Sequence, residues 1–77
     1  MHYVYILFSQ SLQRYYCRET AHLENRIQRH NQGRSKATKA GVPWILVKSF
    51  EVENRIEARK LEKTIHGRGI QRFLKEI

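Results

Sequence analysis

The stretch from His2 to Phe8, His-Tyr-Val-Tyr-Ile-Leu-Phe, constrains this chain more than any other. Almost every position is aromatic or branched, and apolar and polar residues do not alternate. A strand with one wet face alternates, whereas a strand covered on both faces does not. Residues 2–8 therefore predict a central strand that needs packing on both sides. With 77 residues in all, that demand uses most of the chain. A domain of this size buries only roughly 60% of its unfolded surface, so each remaining element must help cover the strand. A single domain over 1–77 is the expectation.

The other elements follow from local pattern. Ser9 to Gln13 is a polar turn, and Arg14 to Arg18 is the returning strand of a hairpin. Thr20 is placed to cap a helix over about 21–32, which Gly33 terminates. A basic loop occupies 34–43, and Trp44 to Phe50 is a third strand. Asn54, with Glu57 three residues on, resembles a capping box and opens a helix over about 54–66. Gly67-Arg68-Gly69 should break it. Ile70, Phe73, Leu74 and Ile77 then recur at the spacing of a short closing helix. The order is ββαβαα, an α+β fold with helices packed on a small antiparallel sheet.

Charge narrows the function. Fifteen Lys and Arg against seven acidic residues, all Glu, leave a net charge of +8. A surplus this large on a small surface points to a polyanionic partner, nucleic acid first among them. No apolar run approaches the ~18 residues of a membrane span. The N-terminus enters a strand pattern without the basic-then-apolar layout of a secretory leader. The lone Cys17 suits a reducing compartment, so a cytoplasmic location is expected. His and Cys show no paired metal-ligand spacing, no phosphate-cradling glycine loop is present, and the absence of Asp argues against a two-metal carboxylate cluster.

Within this frame a few side chains stand out. At 100° per residue, Leu23, Arg26, Ile27 and His30 share one side of the first helix. Arg26 and His30 taken singly read as edge residues whose heads reach water. Together they suit handling of a phosphate. Tyr5 and Tyr16 lie on opposite arms of the hairpin, where hydroxyls on one face can converge, although core packing explains at least one of the four tyrosines. Glu62 flanks the Ala58-Leu61-Ile65 face of the second helix, and its ordinary role there is a surface pair with Arg55 or Arg59.

Taken together, Tyr3-Val4-Tyr5, Tyr16-Cys17-Arg18, Arg26 with His30 four residues on, and Glu62 in Ala58-Arg59-Lys60-Leu61-Glu62-Lys63 resemble the GIY-YIG nuclease domain. The similarity is greatest to its short stand-alone bacterial members, and it covers nearly the whole chain. It implies a three-stranded antiparallel sheet flanked by helices, and an endonuclease that hydrolyses nucleic-acid phosphodiesters, DNA foremost, with one divalent ion, Mg²⁺ or else Mn²⁺. By the same resemblance Tyr5 is the general base with Tyr16 beside it, Arg26 binds the phosphate, His30 assists by hydrogen bonding or proton relay, and Glu62 holds the metal. An ordinary phenol has a pKa of about 10, so such a base needs a nearby cation.

Two positions depart from the family pattern, and the first of them, Tyr3 in place of the first motif's glycine, is common among small relatives. Arg18 stands where the second motif has glycine, and a positive φ there would carry strain of order 1–3 kcal/mol. The departure sets up an alternative, a domain of the same fold that binds nucleic acid but cleaves weakly or not at all. Arg18, Arg34, Lys36, Lys39, Lys48, Arg55, Arg59 and Arg68 are the residues expected to meet backbone phosphates. Without a recognition helix or zinc module, little intrinsic sequence specificity is expected. A monomer is the default, and no feature names a protein partner.

Overall fold

The computed structural model describes all 77 residues. Three strands form one antiparallel sheet: β1 (His2–Ser9), β2 (Arg14–Thr20) and β3 (Trp44–Val52). Their order is β2-β1-β3, so the doubly apolar strand is central and both partners are edges. Three helices complete the ββαβαα order: α1 (Leu23–Asn31), α2 (Arg55–Arg68) and α3 (Ile70–Glu76). A short 3-10 turn, Lys39–Gly41, sits in the basic loop ahead of β3.

Side-chain alternation along β1 divides the interior in two. Val4 and Ile6 point one way, joining Cys17 from β2 and Ala58 and Ile65 from α2, with Phe50, Leu61, Ile70, Phe73 and Leu74 around them. Tyr5 and Leu7 point the other way, joining Trp44, with Tyr16, Leu23, Ile27 and Val42 around them. Helices α2 and α3 thus cover one face, and α1 with the basic loop covers the other. Val4, Tyr5, Ile6 and Leu7 are all fully buried, which explains why the run could not alternate.

Several boundaries differ from the sequence expectation, each for a local reason. Helix α1 begins at Leu23, with His22 as its N-cap and no side-chain cap. The Thr20 hydroxyl instead accepts the His22 N–H, two residues too early to serve the helix. Gly33 has a φ of 73° and ends the helix as expected, its N–H reaching the His30 carbonyl. Asn54 caps α2 by accepting the Glu57 N–H at 2.9 Å. The helix then runs through Gly67 and stops only at Gly69, whose φ of 91° an L-residue rarely adopts. Strand β3 continues to Val52, and Ile77 of the predicted closing stripe is exposed rather than packed.

Register sets the site. Tyr5 pairs with Arg18, and Leu7 pairs with Tyr16. Tyr5 and Tyr16 are therefore diagonal neighbours on one face, and Arg18 is the residue directly across from Tyr5.

Candidate active site

The face of the sheet beneath α1 carries a connected set of buried polar groups. The Tyr5 hydroxyl lies 3.0 Å from His30 Nε2, and His30 Nδ1 lies 2.7 Å from Thr38 Oγ1. The Trp44 indole N–H donates to the Thr38 carbonyl at 2.7 Å. Asn31 clasps the Trp44 backbone, its Oδ1 accepting the N–H at 2.6 Å and its Nδ2 donating to the carbonyl at 3.1 Å. Tyr5, His30, Thr38 and Trp44 are all buried, and no buried side-chain polar atom lacks a partner. A satisfied buried network of this kind fixes side-chain positions, because each broken link would strand a desolvated group.

Protonation follows from this packing. Burial, reinforced by the charges of Arg26, Arg18 and Arg29, holds the His30 imidazole below its ordinary value. A neutral ring has one nitrogen donating and one accepting, which suits Tyr5 on one side and Thr38 on the other. Burial and the neighbouring Tyr16 push the Tyr5 phenol upward, against the opposing pull of Arg26 and Arg18. Since unfolding lets His30 take up a proton below about pH 6.5, its contribution to stability is present above that pH and lost as pH falls. Thermal melts between about pH 7 and pH 5 should show an acid-side loss that is smaller in His30→Gln. An equal loss in that variant would remove His30 as the source.

Beside this network opens a cleft of about 370 Å³, lined by Arg18, Arg26, Arg29 and Arg34 together with Tyr16 and His30. None of these arginines is in an ion pair; the pairs of the fold join Glu19, Glu57, Glu62 and Glu76 to other residues. No acidic residue lines the cleft. Arg18 and Arg26 also form part of an adjoining groove that contains Arg55, His2 and Glu19. Glu19 there is already engaged by His2 at 2.5 Å and by Arg55 at 3.8 Å. The arrangement is a strongly positive surface with little opposing charge.

Of the residues singled out from sequence, Tyr16, Arg26, His30, Arg18 and Arg34 meet at this cleft. Tyr5 does not open into it; the residue is wholly buried, with its hydroxyl on His30. Arg18 lies in extended backbone, because the positive-φ residues are Gln13, Gly33 and Gly69. The strain considered for an arginine at the glycine position is therefore absent. Lys36 and Lys39 are exposed on the basic loop, and Arg59 is exposed on α2. Lys48 lies over the Phe50 ring, and Arg68 is bound to Glu76, both on the side of the sheet covered by α2 and α3.

Glu62 also belongs to that side. It is 23% exposed, and its carboxylate lies 3.7 Å from the His66 ring, with neither Arg55 nor Arg59 in ion-pair range. The His66 Nε2–H donates to the Cys17 carbonyl at 3.1 Å. Burial, with the Glu62 charge adding to it, pushes the Cys17 thiol up to about 12, so it stays protonated and is a poor metal ligand. No group of three His, Cys, Asp or Glu side chains is placed to enclose a metal. A single part-exposed carboxylate fits a cation that keeps most of its waters, as Mg²⁺ does, and not a dehydrated zinc site. The arginine cleft takes Arg18 from edge strand β2, and Glu62 is linked through His66 to the Cys17 carbonyl of the same strand.

Sequence reasoning missed Thr38, Asn31 and Trp44 as supports of His30, and Arg29 as a cleft residue. Arg29 carried a signal, lying one turn from Arg26 on α1. The others had none, because their partners lie 6 to 13 residues away along an irregular loop whose path local pattern does not fix.

An α+β fold with an arginine cleft beside a buried Tyr–His pair has the charge and donors suited to a phosphate. Comparison with protein families takes the assignment further: residues 1–69 match the GIY-YIG catalytic domain. The chain belongs to the GIY-YIG family, whose members are nucleases acting on nucleic acid. No curated protein and no solved structure matches it closely enough to stand beside it. No helix is long and apolar enough to cross a membrane.

Proposed function

We propose that this chain is a metal-dependent endonuclease that hydrolyses DNA phosphodiester bonds with one divalent ion, Mg²⁺ or else Mn²⁺, and with little sequence preference of its own. The observation that carries this reading is the convergence of four unpaired arginines on a cleft lined by Tyr16 and His30. It acts as a monomer in the cytoplasm, where Cys17 stays reduced.

Roles follow from position. Arg26 clamps the scissile phosphate, because a guanidinium cannot lose its proton and offers paired donors to two oxygens. Tyr16 is the hydroxyl that lines the cleft beside Arg18 and Arg26; once it has released its own proton to solvent, its phenolate oxygen accepts the proton of the attacking water. The surrounding guanidiniums stabilise the negative charge that builds up as water attacks. His30 packs edge-on against the Tyr16 ring, with centroids 5.3 Å apart. Both His30 nitrogens are engaged, so it holds Tyr16 in place and is itself held by Tyr5 and Thr38. Tyr5 is thus a positioning residue, acting through His30. Glu62 would hold the metal, which when bound supplies Lewis-acid charge at a phosphoryl or leaving oxygen.

Purified protein incubated with supercoiled plasmid and Mg²⁺ or Mn²⁺ tests the proposal. Nicking is expected, abolished by chelator, and at least about tenfold slower in Glu62→Ala at fixed metal. More metal should partly restore that variant, since a weakly held ion responds to mass action. Undiminished nicking by Glu62→Ala would remove Glu62 from the site. Because Arg18 lines the cleft, one other outcome has a structural basis: binding without nicking, with cleavage gained in Arg18→Gly, identifies a domain whose arginine obstructs the reaction.

A further inference from the structure

The arginine cleft carries more positive charge than one phosphodiester needs. Arg18, Arg26, Arg29 and Arg34 bring four guanidiniums to a space of about 370 Å³, with no carboxylate lining it and no ion pair drawing any of them away. A single phosphodiester brings one negative charge. If Arg26 takes that group, Arg18, Arg29 and Arg34 remain unmatched. Unpaired like charges repel one another, and such a cluster is stable only in water or against further anion.

The three remaining arginines come from different elements, Arg18 from β2, Arg29 from α1 and Arg34 from the loop after Gly33. Their convergence depends on the fold, not on a run of basic sequence. The charges of Arg18 and Arg29 both reach His30, and that of Arg18 also reaches Tyr5, so these guanidiniums sit close to the network and not at a distant rim. All three are exposed, leaving their donors open to a ligand.

We propose that Arg18, Arg29 and Arg34 form a second phosphate site next to the one held by Arg26. Its occupant is a further phosphate of the same nucleic acid, either the next phosphodiester of a continuing strand or a terminal phosphomonoester, which carries nearly two charges at neutral pH. This deepens the nuclease reading, on which it rests for the identity of the first phosphate. It also gives Arg18 a positive role at the position where the family pattern has glycine.

Three short probes separate the possibilities: d(TpT) with one phosphodiester, d(TpTpT) with two, and d(pTpT) with one phosphodiester and a terminal phosphate. Their dissociation constants are measured by NMR titration in chelator at fixed salt, so that neither metal nor cleavage takes part. At least one two-phosphate probe should bind about tenfold or more tightly than d(TpT). A gain for d(TpTpT) assigns the site to a continuing strand, and a gain for d(pTpT) alone assigns it to a strand end. In Arg18→Gln/Arg29→Gln/Arg34→Gln the gain should shrink below about threefold. A control with equal charge change, Lys60→Gln/Lys63→Gln/Lys75→Gln, should retain it.

Equal binding of all three probes by the unaltered protein would overturn the proposal. So would equal loss in both triple variants, which would mark the effect as diffuse surface charge. Failure of the nuclease reading gives a different pattern, with no plasmid nicking while the two-phosphate gain persists.

Discussion

Replacing Tyr16 by phenylalanine is expected to slow cleavage by about 10²–10⁴-fold while leaving thermal stability close to that of the parent. Tyr16 lines the cleft, and none of the buried hydrogen bonds that hold His30 in place uses its hydroxyl. Phenylalanine keeps the ring that packs against His30 and Trp44 and removes only the oxygen. Tyr5→Phe should behave the other way round. It leaves His30 Nε2 buried without a partner, at a cost of about 1–3 kcal/mol. For a domain of this size each kcal/mol lowers Tm by roughly 4–8 °C. Its cleavage should fall less than that of Tyr16→Phe, since only the support of His30 is lost. Nicking rates and melting curves for the two variants decide the matter. Tyr16→Phe with full activity, beside a stable but inactive Tyr5→Phe, would return the proton-accepting role to Tyr5.

A loss of stability as large as that of Tyr5→Phe is expected at Gly41. A methyl group built there would press into the Trp44 ring, with Cε2 only 2.7 Å away and Ser9 Oγ at 2.9 Å. Ring movement is opposed on two sides, by the indole bond to Thr38 and by the Asn31 clasp on the Trp44 backbone. Gly41→Ala should therefore cost about 1–3 kcal/mol through overpacking. Because Thr38 joins Trp44 to His30, cleavage should fall as well. Gly67→Ala is the natural control, since it lies within α2 with nothing inside 4 Å of the added methyl. That change should stabilise by roughly 0.5–1 kcal/mol. A Gly41→Ala protein with an unchanged melting temperature would show that Trp44 yields more readily than its bonds imply.

How far the site could be read in advance differs from residue to residue. Arg26 and His30 were visible because a four-residue step on a helix fixes a shared face whatever the surroundings. Tyr5 was visible as a candidate, yet its depth was not. Alternation tells which face a strand residue takes, and what covers that face comes from α1 and the loop. Glu62 was identifiable by its resemblance to a family segment, but its neighbour His66 and its place across the sheet from the cleft required the packing of α2. Thr38 lay in a stretch that resembled a solvated basic loop. It is buried because its backbone carbonyl and hydroxyl meet Trp44 and His30.

The sequence by itself determined the element order, the central place of residues 2–8, the caps at Asn54 and Gly33, and the basic surface. Those properties depend on neighbours within a few positions, where φ preferences, side-chain period and net charge act directly. Only the tertiary structure decided which hydroxyl lines the cleft, which arginines stand together without carboxylates, and how His30 is held. Each of these depends on contacts between residues far apart in the chain. Such contacts are set by strand register and by which helix covers which face of the sheet, and local pattern specifies neither.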